Sequence, residues 1–386
     1  MKKAFTIIEL LVAMGLLAVL IAVSAMAFAM AVKAYRTADA SSEILVKLQA
    51  ITDQLNADFA GLQKDMPLAI WCQYDTSSGR RYDQMLFFAD GVFQSVGQYD
   101  NDPTAAQNLT IVSGAISRIY YGQADLINFA KRSLAGKAVT QNYWNANVLS
   151  RRQHILTSDT GLVQFPVMDN VSFISSFAPF ALNGICNDLL EYDLCSMTDW
   201  KNVLATPDTS GRYKNAEQFL MTNFFTDLPP AGAIAMGRSN PLIIPLVITP
   251  PPPPQSAPPA SGRPGIDLSN IQTLPSLMAQ GVGSFAVQMG WSAGGGNIRW
   301  YFSDDPNGDG DKSDSDFLQP PFTNGIKGFY FNLPAGLNVD TDRDTVNDWM
   351  RRTIFPAALK FTFTLYDSAG VFPQGKTFTH IVYIGS

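Results

Sequence analysis

The chain has 386 residues, 46% of them apolar and 16% charged, with a net charge of −6. That size and apolar content allow a helical stem plus one or two globular units with a real core, and exclude a disordered chain. The acidic balance gives no support to binding of nucleic acid, which needs a basic surface.

The first element is MKKAFTIIELLVAMGLLAVLIAVSAMAFAMAV. Two lysines, Lys2 and Lys3, precede an apolar run, and the 23 residues from Leu10 to Val32 carry no charge. As a helix this run is about 34 Å long at ~1.5 Å per residue, enough for the ~30 Å hydrocarbon core of a bilayer. The lysines keep the start on the cytoplasmic side. Glu9 lies in apolar surroundings, where a carboxylate is costly and calls for a functional explanation. The small-x-small stretch Ala25-Met26-Ala27 leaves open an ordinary export signal cut before Phe28.

The stretch KAFTIIELLVAMGLLAVLI resembles the cleavage and methylation signal of type IV prepilins and type II secretion pseudopilins. The resemblance implies a leader of residues 1–4, cut between Ala4 and Phe5 by a prepilin peptidase that methylates the new terminal Phe5. Ala4 stands where the family usually has Gly. Glu9 matches the family's glutamate, whose carboxylate can neutralise the terminal amine of a neighbouring subunit, and a buried charge is tolerable when paired.

The helix is expected to run over residues 5–62. Ile44, Leu48, Ile51, Leu55, Phe59 and Leu62 recur every three or four residues and make one apolar stripe. Glu43 and Lys47 form an i,i+4 pair in the favoured order. Gly61 and Pro67 mark the end. Major pilins usually carry a proline midway along the membrane half; this chain has none before Pro67, which points to a minor subunit.

From residue 68 the pattern changes to strands. Asp90-Gly91 between two apolar runs predicts a hairpin turn, and Gly114 to Gly122 reads as a strand. Arg151-Arg152 reads as a solvated turn or a contact for an acidic partner. Residues 180–240 read as a loop-rich insertion. They hold Cys186 and Cys195, whose spacing suits a local disulfide outside the cytosol, with Cys72 left as a buried thiol. Three independent thiols are the alternative. Thr249 to Gly265 contains eight prolines and reads as a stiff polyproline connector, or as a ligand for a proline-binding module. The expected organisation is a first head part at 68–248, the connector at 249–265 and a second β-rich part at 266–386.

In that last part SFAVQM and NIRWYF flank a glycine turn at Gly294-Gly295-Gly296. Phe361, Phe363 and Leu365 alternate with polar residues, and Phe378, His380 and Val382 repeat the pattern. His380 reads as a core histidine. The block from Pro356 to Ile384 is similar to the C-terminal sheet of J-type minor pseudopilins and W-type minor pilins.

One motif points to a metal. Between Asp305 and Asp316, oxygen side chains stand at loop positions of a calcium loop: Asp305, Asn307, Asp309, Ser313 and Asp316. Gly310 takes the sharp turn, and Asp311 offers its carbonyl. Position twelve is Asp rather than the longer Glu, and a strand precedes the loop, so a stand-alone calcium loop is expected, with a solvated acidic turn as the alternative. In the acidic run of Asp340, Asp342, Asp344 and Asp348, Asp344 reads as the cap of a short helix toward Arg352, with a second calcium site as the lesser alternative. His154 and His380 are the two histidines, and neither joins a nucleophile in sequence, so no enzyme is expected.

The reading is an α+β chain, with a long N-terminal transmembrane and amphipathic helix followed by a large antiparallel β-rich pilin-like head. The resemblance implies a minor pseudopilin or minor pilin, single-pass in the inner membrane with the head periplasmic or extracellular. It would assemble with other pilin-like subunits through the helix, near a filament tip, where a secreted substrate or surface ligand could meet the head. A membrane-anchored or exported binding module outside any filament is the alternative.

Overall fold

The computed structural model describes residues 7–72, 74–75, 80–100, 109–127, 148–158, 191–193, 196–223, 265–267, 277–294, 297–301, 327–339 and 347–384. It opens with helix α1 (Ile7–Ala60). Strong helix formers fill this helix and no proline interrupts it, so 54 residues continue unbroken for about 81 Å. Its first half is uncovered: Leu16 is 66% and Phe28 72% exposed. Its second half is the predicted amphipathic stripe. Ile44, Ile51, Leu55 and Phe59 are buried, with Leu48 and Leu62 packed against them.

The strands follow in chain order: β1 (Leu68–Trp71), β2 (Tyr74–Asp75), β3 (Arg80–Arg81), β4 (Gln84–Asp100), β5 (Leu109–Ile127), β6 (Val148–Leu156) and β7 (Tyr192–Asp193). Two helices come next, α2 (Met197–Ala205) and α3 (Lys214–Asn223). The chain then adds β8 (Gly265–Asp267), β9 (Leu277–Gln280), β10 (Val282–Gly294), β11 (Asn297–Tyr301), β12 (Gly328–Phe331), β13 (Trp349–Arg351), β14 (Ala358–Leu365) and β15 (Lys376–Tyr383). The chain is therefore α+β: a long apolar helix followed by a β-rich head.

Among the described residues the first sheet runs β13-β12-β1-β4-β5-β6-β7, with β8 beside β5 and β9 beside β6; the second runs β11-β10-β14-β15. Antiparallel pairs dominate, with short parallel pairings of β13 to β12, β7 to β6 and β8 to β5. Strands from both sides of the proline-rich stretch pair directly: Leu68 faces Phe331, and Val148 faces Gln280.

The first sheet is buried on both faces, which explains why its strands read as continuous apolar runs rather than alternations. Leu68, Ile70, Met85, Phe87, Ile119 and Tyr121 face α1 and the second sheet. Ala69, Trp71, Leu86, Phe88 and Tyr120 point the other way, under α2 and α3. The helix α2 starts on a capping box, in which Ser196 and Asp199 each satisfy the other's backbone N–H.

Three local expectations are corrected. Asp90-Gly91 is not a hairpin turn; β4 runs straight through it, with a bulge against β5 between Asp90 and Phe93. The reason is tertiary: Gln63 N donates to Phe88 O and Asp90 N to Gly61 O, at 2.9 and 2.7 Å, so the chain leaving α1 claims this segment. Arg151-Arg152 is not a solvated turn but lies in β6, opposite Tyr121 and Tyr120 of β5. Of residues 180–240, only 191–193 and 196–223 are described, and there α2 and α3 lay apolar faces on the first sheet. Asp344 lies outside the described residues, and the helix it was to cap is absent near Arg352; Trp349–Arg351 is strand β13, paired with β12. β10 and β11, from SFAVQM and NIRWYF, pair antiparallel, while residues 295–296 of the expected glycine turn lie outside the described residues; β14 and β15 pair as their alternation requires.

Candidate functional site

The carboxylate of Asp58 lies on the apolar stripe of α1 and is 3% exposed. Arg151, on the α1-facing side of β6, grips it with two hydrogen bonds, Nε to Oδ2 at 2.6 Å and Nη2 to Oδ1 at 2.7 Å. Tyr121 of β5 donates its hydroxyl to the same carboxylate, and Gln54 adds a bond at 3.0 Å. Burial, then the neighbouring Asp58 charge, pushes the Tyr121 pKa well up, so the phenol stays a donor. A two-pronged guanidinium–carboxylate pair fixes orientation as well as distance.

Toward the uncovered half of α1, a second set of contacts holds the helix to the other sheet. Ser368 N and Oγ donate to Glu43, the latter at 2.8 Å. Lys47 bridges Glu43 at 2.7 Å and the carbonyl of Tyr366 at 2.9 Å, so the predicted helix pair is present and reaches a third group. Burial works to raise the Glu43 pKa, but the Lys47 and Ser368 contacts outweigh it and hold it low. Lys376 of β15 donates to Ser41 at 3.2 Å, and His380 meets Asn56 at 2.8 Å. His380 is therefore half-buried against the stem rather than enclosed in the core. From Ser41 to Asp58 the helix is held over about 26 Å.

The two sheets are also tied to each other. Asp83 accepts from Val287 N at 2.7 Å and donates its own N to Phe285 O at 2.8 Å. Arg81 donates to Val287 O at 3.0 Å and to Asp83. Cys72 lies beside Arg81, a buried free thiol as expected, its pKa pushed well up by burial.

Under α2 sits a charged cluster with no sequence forecast. Arg118 Nη2 lies 3.2 Å from His154 Nδ1 and 3.3 Å from Asp193 Oδ1, with its guanidinium 5.2 Å from the Trp200 ring. Burial first, and then the charges of Arg118 and Arg152, lower the His154 pKa to about 4. All three side chains are at most 2% exposed. A histidine–aspartate pair sealed in this way cannot touch a substrate; it holds β5, β6 and β7 together.

The predicted site residues fall in different places. Glu9 is exposed in the first turn of α1. Ala4 and Phe5, Cys186 and Cys195, and the whole loop from Asp305 to Asp316 lie outside the described residues. Among the described residues, no group of three His, Cys, Asp or Glu side chains is placed to hold a metal ion. Asp58, Arg151 and Tyr121 were missed. The available signal was a carboxylate three residues after Leu55, on the stripe itself.

The N-terminus decides the relationship. The family model for the prokaryotic N-terminal methylation motif matches residues 1–25. The chain carries a prepilin-type methylation motif. This makes it type IV pilin-like at the end where α1 begins, and α1 is long and apolar enough to cross a membrane. The motif implies processing by a prepilin peptidase and assembly with other pilin-like subunits. No curated protein and no solved structure matches the chain.

Proposed function

We propose that this pilin-like chain is a minor pilin or minor pseudopilin, built through α1 into a type IV pilus or a type II secretion pseudopilus. The observation that carries the reading is the continuity of the methylation motif with a helix uncovered and apolar in one half and locked into a large head in the other. Before assembly α1 anchors the chain once in the inner membrane, with Lys2 and Lys3 on the cytoplasmic side and the head outside. The peptidase cuts between Ala4 and Phe5, and Glu9 then neutralises the Phe5 amine of a neighbouring subunit and sets the axial register of packed stems.

The role is structural. A head of this bulk supports a place at or near the tip, because it would crowd a uniform shaft. The oxygen spacing from Asp305 to Asp316 supports a calcium loop in that head, with Asp305, Asn307, Asp309, Ser313 and Asp316 offering side chains and Asp311 its carbonyl. Mass spectrometry of the mature chain tests the main reading. An N-methylated Phe5 at the N-terminus is the expected result, and a chain starting at Phe28 overturns it.

A further inference from the structure

The head has two poles along α1. β15 starts at Lys376 against Ser41, and the opposite pole holds Lys64, just past α1, together with Ile384, just past β15. At that far pole lies a cavity of about 650 Å³, within the ~300–1,000 Å³ range of ligand pockets. Lys64, Trp291, Tyr301, Arg352, Ile354 and Ile384 line it.

Its walls are built, not incidental. Trp291 meets Tyr301 edge to face, with ring centres 4.7 Å apart. Its indole N–H donates to the Ile354 carbonyl at 3.0 Å, which holds Ile354, 71% exposed, at the rim. The Arg352 guanidinium packs 5.2 Å from the Tyr301 ring centre and 5.1 Å from that of Phe329. Its backbone N–H is taken by Tyr330 O at 2.9 Å. Among the described residues the guanidinium meets no carboxylate, and its Nε is buried without an acceptor.

An arginine fixed between aromatic rings keeps its charge and its planar fork of donors. Among the described residues it meets no anion of the kind this geometry suits. Lys64 is a second cation, and among the described residues no acidic side chain lines the cavity, although the chain as a whole is acidic. The remaining lining side chains with polar atoms, besides the rings, are the hydroxyls of Ser292 and Thr353. A neutral sugar would want carboxylate or amide acceptors, which the described lining does not offer.

We propose that this cavity binds a peptide segment carrying a carboxylate beside a large apolar side chain. The carboxylate pairs with Arg352, and the side chain fills the space between Trp291 and Ile354. The site stands apart from the stem and does not depend on whether the stem enters a filament.

The test uses the full chain in lipid nanodiscs, labelled with 5-fluorotryptophan. The sequence has six tryptophans, and Trp291→Phe identifies the fluorine signal of Trp291. Acetyl-Phe-Asp-amide and its neutral analogue acetyl-Phe-Asn-amide are titrated separately. The acidic peptide should move the Trp291 signal saturably, with a Kd about tenfold or more below that of the neutral one, as a hydrogen bond to a charged group implies. Arg352→Gln should abolish that preference while leaving the other indole signals in place. If those signals also move, the comparison of the two peptides on the unchanged protein still decides. Equal response to both peptides, or no saturable shift from either, overturns the proposal.

Discussion

Asp58 offers the sharpest test of how the head holds its stem. Asp58→Ala leaves Arg151, whose side chain is 14% exposed, as a largely buried cation without its carboxylate. It also orphans the Tyr121 hydroxyl, in a residue that is 0% exposed. Breaking a buried ion pair from one side costs about 3–5 kcal/mol, and an unsatisfied buried hydroxyl about 1–3 kcal/mol. The two costs overlap, since Arg151 and Tyr121 share one acceptor, so a loss of about 4–5 kcal/mol is expected. That is a large part of the ~5–15 kcal/mol that keeps a typical domain folded. Asp58→Asn, which keeps one acceptor oxygen, should lose about 3 kcal/mol. Urea unfolding of the full chain in micelles, followed by near-ultraviolet circular dichroism, measures both. Adding Arg151→Met to Asp58→Ala should recover about 1–3 kcal/mol, because the stranded charge is gone. A loss below about 0.5 kcal/mol for Asp58→Ala, or strict additivity in the double variant, would refute the argument.

Three further outcomes are expected. With His154 held near pKa 4 against 6.5 in the unfolded chain, the unfolded state takes up a proton before the folded state does. The stability from the neutral buried imidazole is full above pH 6.5 and drains as pH falls toward 4, by about 2 kcal/mol at pH 5. His154→Gln should flatten that slope in urea midpoints measured across this window, and an equal slope in both proteins would exclude His154 as its source. Gly61→Ala should cost about 1–3 kcal/mol, because a Cβ there would lie 1.8 Å from the Asp90 carbonyl oxygen; an unchanged thermal midpoint would rule out that close approach. Calcium should raise the melting temperature of the full chain but not that of Asp309→Ala, and no rise in either would remove the loop as a metal site.

The stem is legible from sequence because both its halves state their solvent. An uncharged run longer than a bilayer core and a stripe at helical spacing need no tertiary partner to be recognised. The β14 and β15 strands are legible for the same reason, since only one face of each is buried and the alternation survives. The first sheet is harder, because burial on both faces erases the period of two. Asp90-Gly91 misleads because the chain leaving α1 pairs with that segment, an effect no local window contains. Arg151 and Asp58 are 93 residues apart, and neither announces the other. Yet Asp58 obeys the same logic as Glu9: a carboxylate on an apolar helix face needs a cation, and here the cation comes from the head.

That need fixes when the stem can be held. Its partners on and between β14 and β15 are remote in sequence: Ser368 from Glu43 by 325 residues, Lys376 from Ser41 by 335 and His380 from Asn56 by 324. The buried stripe meets Phe361 and Phe363 of β14 and Val382 of β15 in the same core. These strands leave the ribosome well after α1, so α1 has its membrane-length half complete long before its other half has a seat. Loop closure over such separations is entropically costly and must be met by many contacts formed together. The seat supplies them as a set: an apolar stripe, a two-pronged buried ion pair at Asp58 and a polar clasp at Glu43 and Lys47. Because they close together, a stem joined to an incomplete head would keep its stripe exposed. The C-terminal strands, together with Arg151 of β6 and Tyr121 of β5, therefore decide whether the helix leaves the head as one rigid handle.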